Sequence, residues 1–298
     1  MVWRRFLPPK KQWRAKGKLS DPTMGEPMSV YAEARLLADD LLRQTRSKKR
    51  DTVYKQAIDA IKLLRVFKQP TPAQLLALLI LQTPQAARAQ DDMDKHRGGY
   101  SNRQARVYEL IDFNDTFVDL VLSVPVEEHP VLADRIWNEL ANFCEKYHAM
   151  SFREEQFDAI VHGLSREIAV YQGARAEGLH ARMTSRVQDA RGIDMVITDP
   201  TTRRSIEVDC KTHSSFHFRL LHLEQKRRID AEYRMRCELA GFCPIVGGPK
   251  SEQSHTILLR IATDELGPIR DFAFEDTRLL GERLRVAIAE HGKIIVNG

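Results

Sequence analysis

The sequence predicts an α+β chain: an all-helical N-terminal half, then a mixed central sheet flanked by helices. Three observations predict it. Apolar residues recur at three- and four-residue spacing from Ser29 to about Tyr147. The pattern changes to strand-like stretches after residue 178. The later elements follow the order helix, three strands, helix, strand, helix, which places a sheet between helical layers. With 298 residues there is room for two domains. The expected divisions are a basic tail at 1–27, expected to be disordered, a helical accessory domain at 28–150 and an α/β domain at 151–298.

In the helical half, Leu36, Leu37 and Leu41, then Ile58, Ile61 and Leu64, mark apolar faces, and Pro70, Pro72, Pro84, Pro125 and Pro130 punctuate the run. Thr71 before Pro72 reads as an N-cap with proline in first position, and Asn114 or Asp115 as the cap of DTFVDLVLSV. About five to seven helices are expected, with no solenoid repeat. The stretch QDDMDKHRGGYSNRQ interrupts the pattern. Its Asp91, Asp92, Asp94 and His96 are metal-binding residue types, but without EF-hand spacing or a histidine pair a solvated loop is expected. No residue here identifies chemistry, so this half is read as an accessory domain that supplies binding or partner contacts.

A hydrophobic share of 43% and a charged share of 29% are those of a soluble globular protein. The first residues carry charges and two prolines where an apolar signal region would stand, and the longest apolar run, Leu75 to Leu81, is too short to span a bilayer. A cytoplasmic location and no membrane partner are expected. Cys144, Cys210, Cys237 and Cys243 are irregularly spaced, which signals neither a disulfide framework nor a zinc knuckle. The net charge of +5 is uneven: Arg4, Arg5, Lys10, Lys11, Arg14, Lys16 and Lys18 crowd the first residues with no acid among them. With Trp3, Phe6 and Trp13 interleaved, this tail has the chemistry to neutralise phosphates and stack on bases, or equally to be a solvated extension.

In the second half, Phe157, Ile160, Val161, Leu164, Ile168 and Tyr171 define one long amphipathic helix ending near Gly173 or Gly178. LHARMTS, IDMVIT, SIEVDCKT and HTILLRIA read as strands, with a charged helix, LEQKRRIDAEYRMRCELAGF, before the last of them and a closing helix, EDTRLLGERLRVAIAEH. DPTTR, residues 199–203, has turn chemistry, so IDMVIT and SIEVDCKT are expected to pair as an antiparallel hairpin. Alternation then puts Glu207, Asp209 and Lys211 on one face, with Ile206, Val208 and Cys210 on the other. Folding the hairpin back brings Asp194 toward Asp209 and Lys211. Two close carboxylates repel unless a cation lies between them, and a hard divalent ion such as Mg²⁺ prefers oxygen ligands. Lys211 would stand beside that ion, placed to act on an attacking water or on charge building at a phosphate.

These residues resemble the PD-(D/E)-X-K nuclease superfamily. The resemblance rests on G-I-D at 192–194, a strand and turn, then D-C-K at 209–211, and spans roughly residues 155 to 245. It implies a restriction-endonuclease-like fold for the second half. It further implies that Asp194 and Asp209 bind the metal, that Glu167 in SREIAVY assists as a further acidic ligand, and that Lys211 acts with the attacking water. Ile193 replaces the proline of the pattern, and Glu207 rivals Asp209 as the second acid.

Gln225, Lys226, Arg227 and Arg228, with Arg234 and Arg236 behind them, are read as a helix that contacts the nucleic-acid backbone, against the reading of a solvated face balanced by nearby acids. S214-S215-F216-H217-F218 is expected as a loop flanking the substrate groove, with an aromatic ring available for stacking. His213, His217, His222, Cys237 and Cys243 fit no standard zinc spacing. The expected function is Mg²⁺-dependent hydrolysis of phosphodiester bonds in DNA, with Mn²⁺ as a substitute and a homodimer favoured where both strands of a duplex are cut. The alternatives are a non-cleaving nucleic-acid-binding protein with a degenerate nuclease fold and a scaffold for a DNA-processing partner.

Overall fold

A computed structural model describes residues 29–44, 54–60, 69–95, 104–184, 188, 192–246 and 255–294. The basic tail at 1–27, His96, Ile61 and Leu64 lie outside the described residues. The chain is α+β, with a helical N-terminal region and a mixed sheet flanked by helices. None of the described helices is long and apolar enough to cross a membrane.

The helical region contains α1 (Val30–Gln44), α2 (Pro72–Lys95), α3 (Gln104–Ser123) and α4 (His129–Lys146), with residues 54–60 helical as well. Thr71 starts α2 with a reciprocal pair of bonds: its hydroxyl accepts the N–H of Gln74 at 3.2 Å, and its own N–H reaches Gln74 Oε1 at 3.0 Å. Pro84 does not end α2 but lies buried inside it. The stretch read as a loop is helical as far as Lys95, and Asp91 and Asp94 both pair with Arg153. Asn114 and Asp115 do not cap a helix, because α3 runs straight through them. Burial of Phe113, Phe117, Leu120 and Val121 along that helix outweighs the capping preference of two polar residues.

The long helix α5 (Glu154–Ala176) joins two cores. Its Phe157, Leu164 and Ile168 pack among α2, α3 and α4, whereas Ala169, Val170 and Ala174 pack on the sheet. Strands β1 (His180–Met183), β2 (Met195–Asp199) and β3 (Arg204–Thr212) follow, then α6 (His213–Gln225), α7 (Ala231–Ala240), β4 (Phe242–Val246) and β5 (His255–Ile261). The short α8 (Thr263–Leu266), the ribbon β6 (Ile269–Arg270) and β7 (Ala273–Phe274), α9 (Arg278–His291) and β8 (Lys293–Ile294) complete the fold.

The sheet order is β1-β2-β3-β5-β4, with β8 paired to the start of β3. Among the described residues only β3 and β5 run parallel; the other pairs of the sheet are antiparallel. One face, bearing Met195, Ile197, Ile206, Val208, Ile257 and Leu259, is covered by α5 and α9. The opposite face, through Leu258 and Cys243, is covered by Phe216, Leu220, Leu223 and Cys237 of α6 and α7. The turn of the β6–β7 ribbon reaches back to the helical core, where Phe272 packs edge-on against Phe117 and His129.

Candidate active site

The hairpin closes as its turn residues dictate. Asp199 Oδ1 accepts the N–H of Thr201 at 2.8 Å, Oδ2 accepts the hydroxyl of Thr202 at 2.9 Å, and Arg203 takes a left-handed φ of 56°. β2 pairs with β3 from Asp199↔Arg204 to Met195↔Val208. Continuing that register sets Asp194 opposite Asp209. β3 pairs on its other side with β5, so Asp209 stands beside Leu258 and Lys211 beside Arg260. Alternation places Glu207, Asp209 and Lys211 on the face that α6 and α7 cover.

Asp194 is fixed by the backbone. Its N–H donates to the carbonyl of Val208 at 2.8 Å, and its Oδ2 accepts the N–H of Cys210 at 2.6 Å. The carboxylate thus replaces β2 as the partner of β3 where strand pairing ends. Thr184 holds the same segment from β1's side, its N–H donating to the Asp194 carbonyl at 3.2 Å. Gly192, with φ of 80°, supplies the bend before Asp194 and lies under the second acid: a Cβ there would stand 3.6 Å from Asp209 Oδ2.

Asp209 is 8% exposed, and Lys211 Nζ donates to its Oδ1. Burial raises the Asp209 pKa above the usual carboxylate range, with Lys211 and then Arg219 pulling it only partly back. Burial works the other way on Lys211, but the Asp209 carboxylate, helped by Asp194, outweighs it and holds the ammonium above its ordinary pKa. The structure therefore brings Asp194, Asp209 and Lys211 to one end of β3.

Glu167 comes from α5, on the opposite face of the sheet. The Cys210 thiol packs on that same α5 face, where burial, then Asp194, Glu167 and Asp209, raise its pKa well above the normal thiol value. Among the described residues no group of three or more His, Cys, Asp or Glu is disposed to hold a metal ion, so Glu167, Asp194 and Asp209 do not form a closed ligand set. The same holds for the histidines and cysteines weighed for zinc. Glu207 leaves its Oε2 buried without a hydrogen-bond partner.

The single basic helix expected after the site is two helices. α6 ends at Gln225, Lys226 to Arg228 form an exposed turn with Arg227 at φ of 54°, and Asp230 caps α7 by accepting the N–H of Tyr233 at 2.7 Å. Gln225 to Arg228 therefore stand at the end of α6 away from Lys211. Arg234 is tied to Glu224 and Glu238, and Arg236 lies over the ring of Tyr233. The stretch 214–218 is not a loop, because Thr212 caps α6 through the N–H of Ser215 at 3.2 Å. Phe216 is wholly buried under Arg260, whereas Phe218 is 72% exposed.

Two site features were missing from the sequence reading: the Cys210 N–H as the anchor of Asp194, and Arg219 as a cation near Asp209. A cleft of about 330 Å³ lies elsewhere, between α4, α5 and the β6–β7 turn, walled by His162, Arg166 and Phe272 and by none of Asp194, Asp209 or Lys211. No protein-family model, curated protein or solved structure matches this chain.

Proposed function

We propose that the chain is a Mg²⁺-dependent phosphodiesterase acting on DNA, with a restriction-endonuclease-like α/β domain at 151–298 and a helical accessory domain at 28–150. The observation that carries this reading is the placement of Asp194 against Asp209 at the end of β3, with Lys211 bonded to Asp209.

The donor chemistry fits a hard divalent cation. Both acids offer only oxygen, and the buried Asp209 carboxylate keeps a raised pKa even beside Lys211, so its charge is incompletely compensated. Mg²⁺ is usually held by one or two carboxylates together with water and substrate phosphate, which a pair such as Asp194 and Asp209 can provide. Glu167 is proposed to support the site through its charge from the α5 side. When bound, the ion supplies positive charge for a phosphodiester oxygen and makes a bound water more acidic. Lys211 holds the attacking water, or neutralises charge gained by the phosphate, from the position its bond to Asp209 fixes. Gln225 to Arg228 and the basic tail are proposed to hold backbone phosphates. The helical half is proposed to dock a partner, and the protein is proposed to be cytoplasmic and to dimerise on duplex substrates.

The test is cleavage of linear, circular and branched DNA by the full chain, with and without Mg²⁺. Activity requiring the ion is expected, falling by about 10²-fold or more in Asp209→Ala and Lys211→Ala. Undiminished cutting by both variants would remove these residues from the mechanism. The ion pair between Lys211 and Asp209 also favours a second reading, a non-cleaving nucleic-acid-binding protein in which the lysine itself neutralises the acid. That protein would bind DNA both with and without Mg²⁺ and cut it in neither case.

A further inference from the structure

α6 carries a second cation toward the acid pair. The helix begins at His213, directly after the strand that bears Asp209 and Lys211. Phe216, Leu220 and Leu223 turn inward to the buried cluster, which leaves Arg219 exposed. Helical side chains tilt toward the N-terminus and cover the turn before their own Cα. The guanidinium of Arg219 therefore leans over Ser215 and Thr212, back toward the end of β3. Its charge reaches Asp209, where it is the cation acting after Lys211.

The neighbouring arginines are committed. Arg234 is bonded to Glu224 and Glu238, and Arg260 to Glu265. Among the described residues no carboxylate forms an ion pair with Arg219. The Lys226–Arg228 turn stands at the other end of a 13-residue helix. Seven residues separate Arg219 from Lys226, about 10 Å along the axis at about 1.5 Å per residue, and the lean of Arg219 toward the N-terminus widens the gap beyond one phosphate.

We propose that Arg219 holds the non-bridging oxygens of the phosphate presented to Asp194, Asp209 and Lys211, while Lys226, Arg227 and Arg228 hold another phosphate of the same polymer. The substrate class is then a polynucleotide rather than a small phosphate diester. This rests on the phosphodiesterase reading above. An arginine matches a phosphate with two parallel N–H donors, so it orients the group as well as neutralising it.

The experiment uses the full chain with Mg²⁺ and a labelled DNA duplex, comparing wild type, Arg219→Ala, Arg219→Lys and the triple Lys226→Ala, Arg227→Ala, Arg228→Ala variant. Arg219→Ala is expected to lower kcat by about 10²-fold with a smaller change in KM, and Arg219→Lys to recover part of the loss. The triple variant is expected to raise KM and to flatten the dependence of binding on salt by about one phosphate contact. Wild-type cleavage with an unaltered kcat in Arg219→Ala overturns the role of Arg219 and leaves the phosphodiesterase reading standing. If wild type does not cleave, that reading fails, and salt-dependent DNA binding decides the contact. A slope reduced by about one phosphate in Arg219→Ala upholds it, and an unchanged slope overturns it.

Discussion

The carboxylate of Asp194 accepts the backbone N–H of Cys210 at 2.6 Å, where β2 stops pairing with β3. One bond thereby satisfies a strand N–H and sets the first acid of the site against the second. Asp194→Ala leaves that N–H without its acceptor and is expected to destabilise the fold by about 1–3 kcal/mol. Asp194→Asn keeps an acceptor oxygen and is expected to unfold close to wild type. Equal denaturant midpoints for the two variants would show that the bond contributes nothing.

Gly192 takes a φ of 80° two residues before Asp194. A side chain there must enter the left-handed region, so Gly192→Ala is expected to cost about 1–2 kcal/mol. Its Cβ would stand at an ordinary van der Waals distance of 3.6 Å from Asp209 Oδ2, so cleavage by protein that remains folded is expected to stay close to wild type. Thermal unfolding and the cleavage rate, measured on the same preparation, check both expectations.

Phe272 holds the β6–β7 turn to the helical core. It is 4% exposed, adopts a left-handed φ of 67° and meets Phe117 and His129 edge-on. Phe272→Ala is expected to destabilise the chain by about 3–5 kcal/mol. A loss under about 1 kcal/mol by urea unfolding would mean that the contact between the two halves is energetically slack.

Glu139 is 3% exposed beside Arg35, with Nε and Oε2 3.3 Å apart. Burial raises its pKa, and Arg35 offsets this only in part. A raised carboxyl contributes stability that is fully present below its unfolded pKa and is lost as pH rises through its folded pKa. Glu139→Gln is therefore expected to be more stable than wild type at about pH 7, with the difference shrinking toward about pH 4. Urea midpoints at the two pH values check the sign.

The strands of the site were legible because their alternation is strict and Asp199-Pro200 marks the turn, so β3's two faces followed from counting. The long helix α5 was equally plain in its apolar spacing. β4 was missed. FCPIV is five residues long and contains Pro244, which an edge strand tolerates because one side needs no N–H. The break between α6 and α7 was masked by continuous charge, although Asp230 three residues before Tyr233 is a capping signal. Arg219 carries no signal of its own in a sequence rich in arginine. Its position depends on which face of α6 the buried Phe216 and Leu220 select.

Asp194 and Asp209 are proposed to share a divalent cation beside Lys211. Calorimetric titration of Mn²⁺ into wild type, Asp194→Asn and Asp209→Asn, each shown to be folded by circular dichroism, tests it most directly. One saturable site is expected in wild type and none in either variant. No binding by wild type, or the same isotherm in all three proteins, would contradict it.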